Sequence, residues 1–344
     1  MARVRIARVG RKICAGEIDA LLETSPDRRE PRCAVFGACG GCQLQHLARA
    51  GQLEAKVLDL RDCLRRIGGI SWPGEIPIHA GPEFEWRSRT ELQVDPRTGK
   101  VGYFRPRSRD LVAIDDCPIL VPALRAEVRR LAAAAAPAGP DRLALAAGDD
   151  GSIVHGAREA RQTVLGVDYL LRADSFWQGN RPLLETLVRS ACGEDRGRVA
   201  VDLYAGAGLF ALQLARHFAI VHAVEVDAAS GALLAENARA NGAVNVRAAA
   251  QEVERWILAS SAPRRPDLVL LDPPRIGAGP AVVAGIAALE PARITYVSCD
   301  PPTLARDLRD LVQRGFRIES IVALDLFPQS YHVEVVARLA PIAP

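Results

Sequence analysis

Val199-Ala200-Val201-Asp202-Leu203-Tyr204-Ala205-Gly206-Ala207-Gly208-Leu209-Phe210-Ala211 is an apolar run that breaks at Gly-x-Gly and resumes as a helix-forming stretch. A strand, a tight turn and a helix start in that order let a ligand approach the backbone where glycine carries no Cβ. Glu225 closes the next apolar run, where it can accept both ribose hydroxyls of an adenosine. Taken alone, the pattern fits a dinucleotide, S-adenosylmethionine or an unliganded turn. Around it the apolar segments Val199 to Leu203, Val221 to Val226, Leu268 to Leu271 and Ile294 to Ser298 alternate with helical stretches. That alternation predicts an α/β fold, a parallel sheet covered on both faces. Ile318 to Leu324 and His332 to Leu339 can pair as an antiparallel edge.

Two of these strands run into proline-rich ends, Asp272-Pro273-Pro274-Arg275 and Cys299-Asp300-Pro301-Pro302. Open α/β sheets bind ligands outside the carboxyl ends of their strands, so Cys299 is a candidate nucleophile. A helix starting behind it is expected to lower the thiol pKa. Glu334 enters the last strand in an apolar setting and is a candidate catalytic carboxylate. A zinc deaminase also uses His-x-Glu, but its paired cysteines must follow, and no cysteine lies beyond Glu334.

Toward the N-terminus stands Cys33-x5-Cys39-x2-Cys42, with Gly37, Gly40 and Gly41 letting the loop wrap tightly. Three thiols on such a loop favour a soft metal, and Cys117 in Asp115-Asp116-Cys117-Pro118 is the candidate fourth ligand. Four cysteines suit zinc or an iron–sulfur cluster, and three clustered plus one remote favour the cluster over zinc. Cys14, Cys63 and Cys192 lack such company and read as core or surface residues; His46 reads as a packing histidine.

The remainder is ordinary in composition. A length of 344 residues suits two domains and a small appendage, and 49% hydrophobic with 25% charged residues suits a soluble globular protein. There is no uncharged apolar run of ~18 residues to span a bilayer, and no secretory signal, so the expected compartment is the cytoplasm, without disulfides. The net charge of +3 names no partner; Lys stands only at 12, 56 and 100, so 41 of the 44 basic residues are Arg, much of it codon bias. Arg3, Arg5 and Arg8 alternate with Val4, Ile6 and Val9 as in a strand. A helix is predicted from His46 to Ile67, with Leu47, Leu53, Val57, Leu60 and Leu64 at helical spacing and Gly68-Gly69 as its stop. Glu91 to Val94 and Val101 to Phe104 read as a hairpin, and the Ala-rich stretch at 124 to 136 as a helix ended by Pro137, Gly139 and Pro140.

Together, Cys33-x5-Cys39-Gly-Gly-Cys42, Asp-Asp-Cys117-Pro, Ser175-Phe176-Trp177-Gln178-Gly179-Asn180, Asp202-Leu203-Tyr204-x-Gly-x-Gly, Asp272-Pro-Pro-Arg275, Ser298-Cys299-Asp300-Pro and Phe327-Pro-Gln-x-Tyr-His-Val-Glu334 resemble the RNA uracil-5-methyltransferase family. The resemblance runs from about residue 3 to residue 340. It implies a class I S-adenosylmethionine-dependent methyltransferase domain (Rossmann-like) over 176–344, an iron–sulfur and β-rich central domain over 31–175, and a truncated OB-like remnant over 1–30. A 4Fe-4S cluster on Cys33, Cys39, Cys42 and Cys117 is implied, with S-adenosylmethionine contacts from Gln178, Tyr204, Glu225 and Asp272. Cys299 is implied as the nucleophile that adds to carbon 6 of uracil, and Glu334 as the base that removes the carbon 5 proton. The implied substrate is RNA, 23S ribosomal ahead of transfer RNA, met by a monomer away from any membrane. Phe176, Trp177 and Tyr331 are candidate stacking surfaces.

The chain departs from the family pattern in two places. Only 32 residues precede Cys33, too few for a five-stranded barrel, so either the coding start lies further upstream or RNA grip comes from elsewhere. Leu209 stands where relatives carry a cofactor-contacting Asn. Rival readings are an iron–sulfur RNA-binding protein without turnover, which intact Cys299 and Glu334 oppose, and a methyltransferase of cytosine or a small molecule. Against the cytosine reading, the Pro273-Pro274 site offers no further cysteine.

Overall fold

A computed structural model describes residues 1–9, 14–134, 140–259 and 262–342 of the chain. Ala135, Ala136, Pro137, Gly139 and the side chains of Arg8, Val9 and Cys14, named above, lie outside what is described.

The N-terminal alternation produces an antiparallel ribbon, β1 (Ala2–Val9) with β2 (Cys14–Leu21). The phase break in the alternation, between Ile6 and Arg8, coincides with a register irregularity, which lets both arginine-bearing stretches stay in one strand. After the cysteine loop comes α1 (Arg49–Arg66), which ends before Gly68-Gly69 as expected. Gly68 is needed there, because a Cβ would stand 2.7 Å from the Leu64 carbonyl oxygen and 2.9 Å from that of Ala305. The buried face of α1 is rotated from the leucine stripe: Leu60 and Leu64 are buried, but so are Gln52 and Lys56, while Leu53 and Val57 are half-buried.

A short β3 (Ile78–His79) precedes a five-stranded antiparallel sheet of β4 (Arg89–Val94), β5 (Val101–Phe104), β6 (Leu111–Ala113), β7 (Arg142–Ala147) and β8 (Ile153–His155), in the order β6-β5-β4-β7-β8. Helix α2 (Pro122–Ala133) buries Leu124 and Val128 against Leu92, Val101 and Leu145 of that sheet. A hairpin, β9 (Glu159–Val164) and β10 (Val167–Arg172), follows.

The remaining elements are α3 (Leu184–Cys192), β11 (Gly197–Leu203), α4 (Leu209–Leu214), β12 (Phe218–Glu225), α5 (Ala228–Ala240), β13 (Val246–Ala250), α6 (Val253–Ile257), β14 (Leu268–Leu271), α7 (Gly279–Ala288), β15 (Ile294–Ser298), α8 (Pro301–Gln313), β16 (Phe316–Leu324) and β17 (Glu334–Pro341). They build a sheet in the order β13-β12-β11-β14-β15-β17-β16-β3. The five strands from β13 to β15 are parallel, and β17 runs against both of its neighbours. Apolar clusters cover both faces, which is why β14, with four buried residues, reads as a continuous apolar run.

Three details differ from the expectation. β13 was not legible as a strand, because its Val-Arg-Ala-Ala-Ala is half-exposed at the sheet edge. β16 and β17 pair as expected, but β17 is interior and β3 adds outside β16. Residues 49–79, sequence neighbours of the cysteine loop, thus join the C-terminal sheet through α1 and β3.

Candidate active site

Parallel strands that end together bring their next residues into one cleft. Ser298 pairs with Val335 in the antiparallel β15–β17 ladder, so the following residue on β15, Cys299, stands across from Glu334. Glu334 is buried, and its Oε1 has no hydrogen-bond partner. Burial, and the Asp272 carboxyl nearby, push its pKa well above the usual carboxylate range, with Arg275 pulling the other way. Asp272 itself is pushed up to about 7 by desolvation, offset by Gln178, whose Nε2 donates to Asp272 Oδ2 at 3.5 Å. Asp202 in β11 is fully buried and pushed in the same direction by burial, Asp272 and Glu225. Three acids at the ends of β11, β14 and β17 therefore compete for charge in one buried space.

Cys299 is half-buried, and its thiol is pushed up to about 11 by burial and by Glu334 and Asp272, with Arg275 opposing. This corrects the expectation of a lowered thiol. Helix α8 does begin behind it, with Asp300 Oδ1 accepting from the Thr303 N–H at 3.0 Å as its cap. Desolvation and two like charges outweigh that helix terminus. His332 packs its ring on Tyr331 and Phe327, and burial with Arg275 and Lys56 nearby lowers it to about 4, so it is neutral at pH 7.

Of the expected cofactor residues, Gln178 and Asp272 meet directly. Glu225 holds the glycine turn, accepting from Gly206 N–H at 2.8 Å and Asp227 N–H at 2.7 Å. Each of its oxygens keeps a further lone pair for a hydroxyl. Gly206 and Gly208 both take positive φ, and a Cβ at Gly208 would stand 2.5 Å from Leu212 and 2.6 Å from Leu234. Tyr204 also takes positive φ, 65°, and its phenol is pushed up to about 12 by burial and by Asp307 and Glu254. Leu209 packs in the core. A cationic nucleotide suits this turn, because backbone approach is open and the acids beyond it favour positive charge.

The candidate stacking aromatics divide. Phe176 is 66% exposed and Tyr331 61%, whereas Trp177 is 5% exposed, donates from Nε1 to Gln162 Oε1 at 3.0 Å and packs on Tyr169. Trp177 is core, which corrects its assignment as a stacking surface. Phe176 is presented by Arg89, missed in the sequence, whose guanidinium donates to the carbonyls of Ala173, Ser175 and Trp177.

Cys33, Cys39, Cys42 and Cys117 line one pocket with Arg87, Gln45 and Tyr103. Burial pushes Cys39 up, Cys42 up to about 12 and Cys117 up to about 11, and the sulfurs raise one another. Among the described residues no group of three His, Cys, Asp or Glu side chains is disposed to hold a metal ion. The donor set of the pocket is nevertheless that of a soft metal centre. Four sulfurs line the space, Gly41 N–H donates to Cys39 Sγ at 3.4 Å, and the buried amide of Gln45 lies against Cys42. His46 packs on Phe36 at 5.7 Å as expected. Cys192 is buried and Cys63 half-buried, apart from this pocket.

A doubly covered sheet in this order, with a Gly-x-Gly turn and acids at its strand ends, defines a class I S-adenosylmethionine-dependent methyltransferase. The profile of the tRNA (uracil-5-)-methyltransferase family matches residues 162–340. The 23S rRNA (uracil(1939)-C(5))-methyltransferase of Pseudomonas entomophila is 33% identical over 95% of this chain and 83% of its own length. An RNA methyltransferase of Thermosynechococcus vestitus is 31% identical over 98% and 90%. Among solved structures, the tRNA (uracil-54, C5)-methyltransferase of Pyrococcus abyssi, in complex with S-adenosyl-L-homocysteine, superposes with a TM-score of 0.75 at 26% identity, covering 98% of this chain and 92% of that one. The chain belongs to the RNA uracil-5-methyltransferase family and is an S-adenosylmethionine-dependent enzyme. Among the described residues no helix is long and apolar enough to cross a membrane.

Proposed function

We propose that this enzyme methylates carbon 5 of a uridine in 23S ribosomal RNA in the cytoplasm, through a covalent adduct to Cys299 and with Glu334 as general base. The observation that carries the reading is the placement of Cys299 across from Glu334 at the ends of β15 and β17, in an acid-lined cleft beside the glycine turn. Ribosomal RNA is favoured by the Pseudomonas relative, and transfer RNA is the second reading, favoured by the Pyrococcus neighbour.

Carbon 5 of uracil is a weak nucleophile until something adds to carbon 6. The Cys299 sulfur forms that bond as thiolate, and the displaced electron pair passes through the enolate to carbon 5. There it bonds the methyl group that S-adenosylmethionine supplies when bound. Glu334 takes the carbon 5 proton, the C–H electron pair restores the ring double bond, and the sulfur leaves. Arg275 lies beside Cys299 and favours the thiolate this requires. Gln178, Tyr204, Glu225 and Asp272 hold the cofactor, and Phe176 and Tyr331 stack on the extruded uridine and its neighbours. Cys33, Cys39, Cys42 and Cys117 would hold a 4Fe-4S cluster, a reading supported by four thiols lining one pocket with Gly41 N–H donating to Cys39 Sγ. The division into 1–30, 31–175 and 176–344 is part of this proposal, with α1 and β3 lent by the middle part to the last.

The test is transfer from labelled S-adenosylmethionine to unmodified ribosomal and transfer RNA, with product nucleosides resolved by mass spectrometry. We expect 5-methyluridine in ribosomal RNA, lost in Cys299→Ala, and a covalent RNA adduct trapped by Glu334→Gln. Product in transfer RNA alone overturns the substrate; product unaffected by Cys299→Ala overturns the mechanism.

A further inference from the structure

The buried polar residues of α1 have no place in the chemistry above, yet they converge on one segment, Asp325 to Ser330, which leads into Tyr331 and Glu334. Gln52 and Gln329 are both fully buried. Gln52 Nε2 donates to Gln329 Oε1 at 3.0 Å and to the carbonyls of Leu44 at 3.0 Å and Leu47 at 2.8 Å. Its Oε1 accepts from Gln329 N–H at 3.3 Å. Gln329 takes φ 70°, a left-handed conformation that is unfavourable for a residue with a Cβ and persists only when its surroundings hold it. This conformation turns its carbonyl toward the cysteine loop, where it accepts from Gln43 N–H at 2.8 Å and Leu44 N–H at 2.9 Å. Gln43 is the next residue after Cys42. Upstream in the same segment, Asp325 is fully buried between Lys56 and Arg49, and Lys56 Nζ also donates to the Phe327 carbonyl at 3.0 Å. Asn180 Nδ2, two residues after Gln178, donates to the Leu326 carbonyl at 3.0 Å.

We propose that Gln52 and Gln329 are positioning residues that latch the catalytic segment 325–334 to the cysteine loop, so that the order of the Cys33, Cys39, Cys42 pocket sets the placement of Glu334 and Tyr331. The inference rests on the site reading above, since it assigns Glu334 its role. The design follows from satisfaction of buried groups. Gln52 has one amide to serve three carbonyl oxygens, and Gln329 has one carbonyl serving two N–H donors, so shifting either loop leaves several buried polar groups unpaired at once. A segment held this way moves with the loop that anchors it.

The experiment is hydrogen–deuterium exchange by mass spectrometry on the full-length, iron-loaded enzyme, compared with Gln52→Met, Gln329→Asn and Cys42→Ser. Gln52→Met keeps length but removes the donors; Gln329→Asn tolerates positive φ but is too short to reach Gln52. Exchange in 325–334 is expected to rise about tenfold in each variant, with β11 and β14 still protected and cofactor binding unchanged. In the two glutamine variants, kcat falls about tenfold or more and KM for RNA rises with it, because Tyr331 is displaced together with Glu334, while KM for S-adenosylmethionine stays within about twofold, a split that general loosening does not give. Protection of 325–334 in Cys42→Ser, or exchange that rises evenly through the protein, overturns the latch. Exchange reads the latch whether or not Glu334 is the base; failure of the base assignment appears separately, as full turnover by Glu334→Gln.

Discussion

The cysteine pocket and the catalytic cleft are both places where groups of one kind are crowded out of water, and both raise the proton affinity of what they hold. In the pocket, Cys39, Cys42 and Cys117 are raised by burial and by each other. In the cleft, Asp202, Asp272 and Glu334 are raised in the same way. The two differ in how they are held. The pocket is irregular loop shaped by glycines and N–H donors, whereas the cleft is the common end of β11, β14, β15 and β17, fixed by a ladder that cannot slip without turning every side chain to the other face. On the proposed reading, a bound cationic centre would relieve the crowded thiols, and the crowded carboxyls on a rigid sheet would be suited to move protons.

That division is broken most directly at Cys299. Cys299→Ala is expected to lower methyl transfer by ~10³-fold or more while equilibrium dialysis shows cofactor binding retained; loss of binding instead makes Cys299 part of the scaffold. On the other side, Cys117→Ser is expected to lose iron by elemental analysis and to lower the melting temperature by ~5 °C or more. A variant that keeps both makes the pocket a set of packing thiols.

A finer test lies in the Cys299 titration. With its thiol at about 11, alkylation of the Cys299 peptide is expected to rise about tenfold per pH unit from pH 7 toward 10. Where Glu334 is ionised, removing its charge stabilises thiolate and lowers the pKa, so Glu334→Gln is expected to speed alkylation by about threefold or more toward pH 10 and less toward pH 7, where burial keeps more of Glu334 protonated. An unchanged rate places Glu334 too far away to act on the same ring. The smallest effects separate the adjacent aromatics. Phe176→Ala is expected to raise KM for RNA by about fivefold or more with stability intact. Trp177→Phe is expected to cost about 1 kcal/mol of stability by denaturant titration, with KM unchanged.

The parts read correctly from sequence are those where one physical demand dictates residue type. A strand buried on both faces must be largely apolar, so β11, β14 and β15 are plain in the sequence, and a turn at positive φ after β11 needs Gly206 and Gly208. Reading failed where a residue serves a distant partner. The leucine stripe of α1 does not place Gln52 and Lys56 inside, because their partners, Gln329 and Asp325, lie far along the chain. Trp177 and Phe176 are adjacent and alike in type, and only the position of Gln162 decides which is inside. The direction of the Cys299 shift depended on two acids brought close by the sheet.

The two-residue strand β3 has a consequence for how the protein is made. It pairs with β16, which begins only at residue 316, and α1 before it packs Leu60 and Leu64 against residues of α8 and β16. At ~5–20 residues per second of synthesis, these early segments wait on the order of tens of seconds for their partners to leave the ribosome. The catalytic sheet therefore closes only after β16 and β17 are made, and the cysteine loop is tied to Gln329 no earlier than that residue emerges.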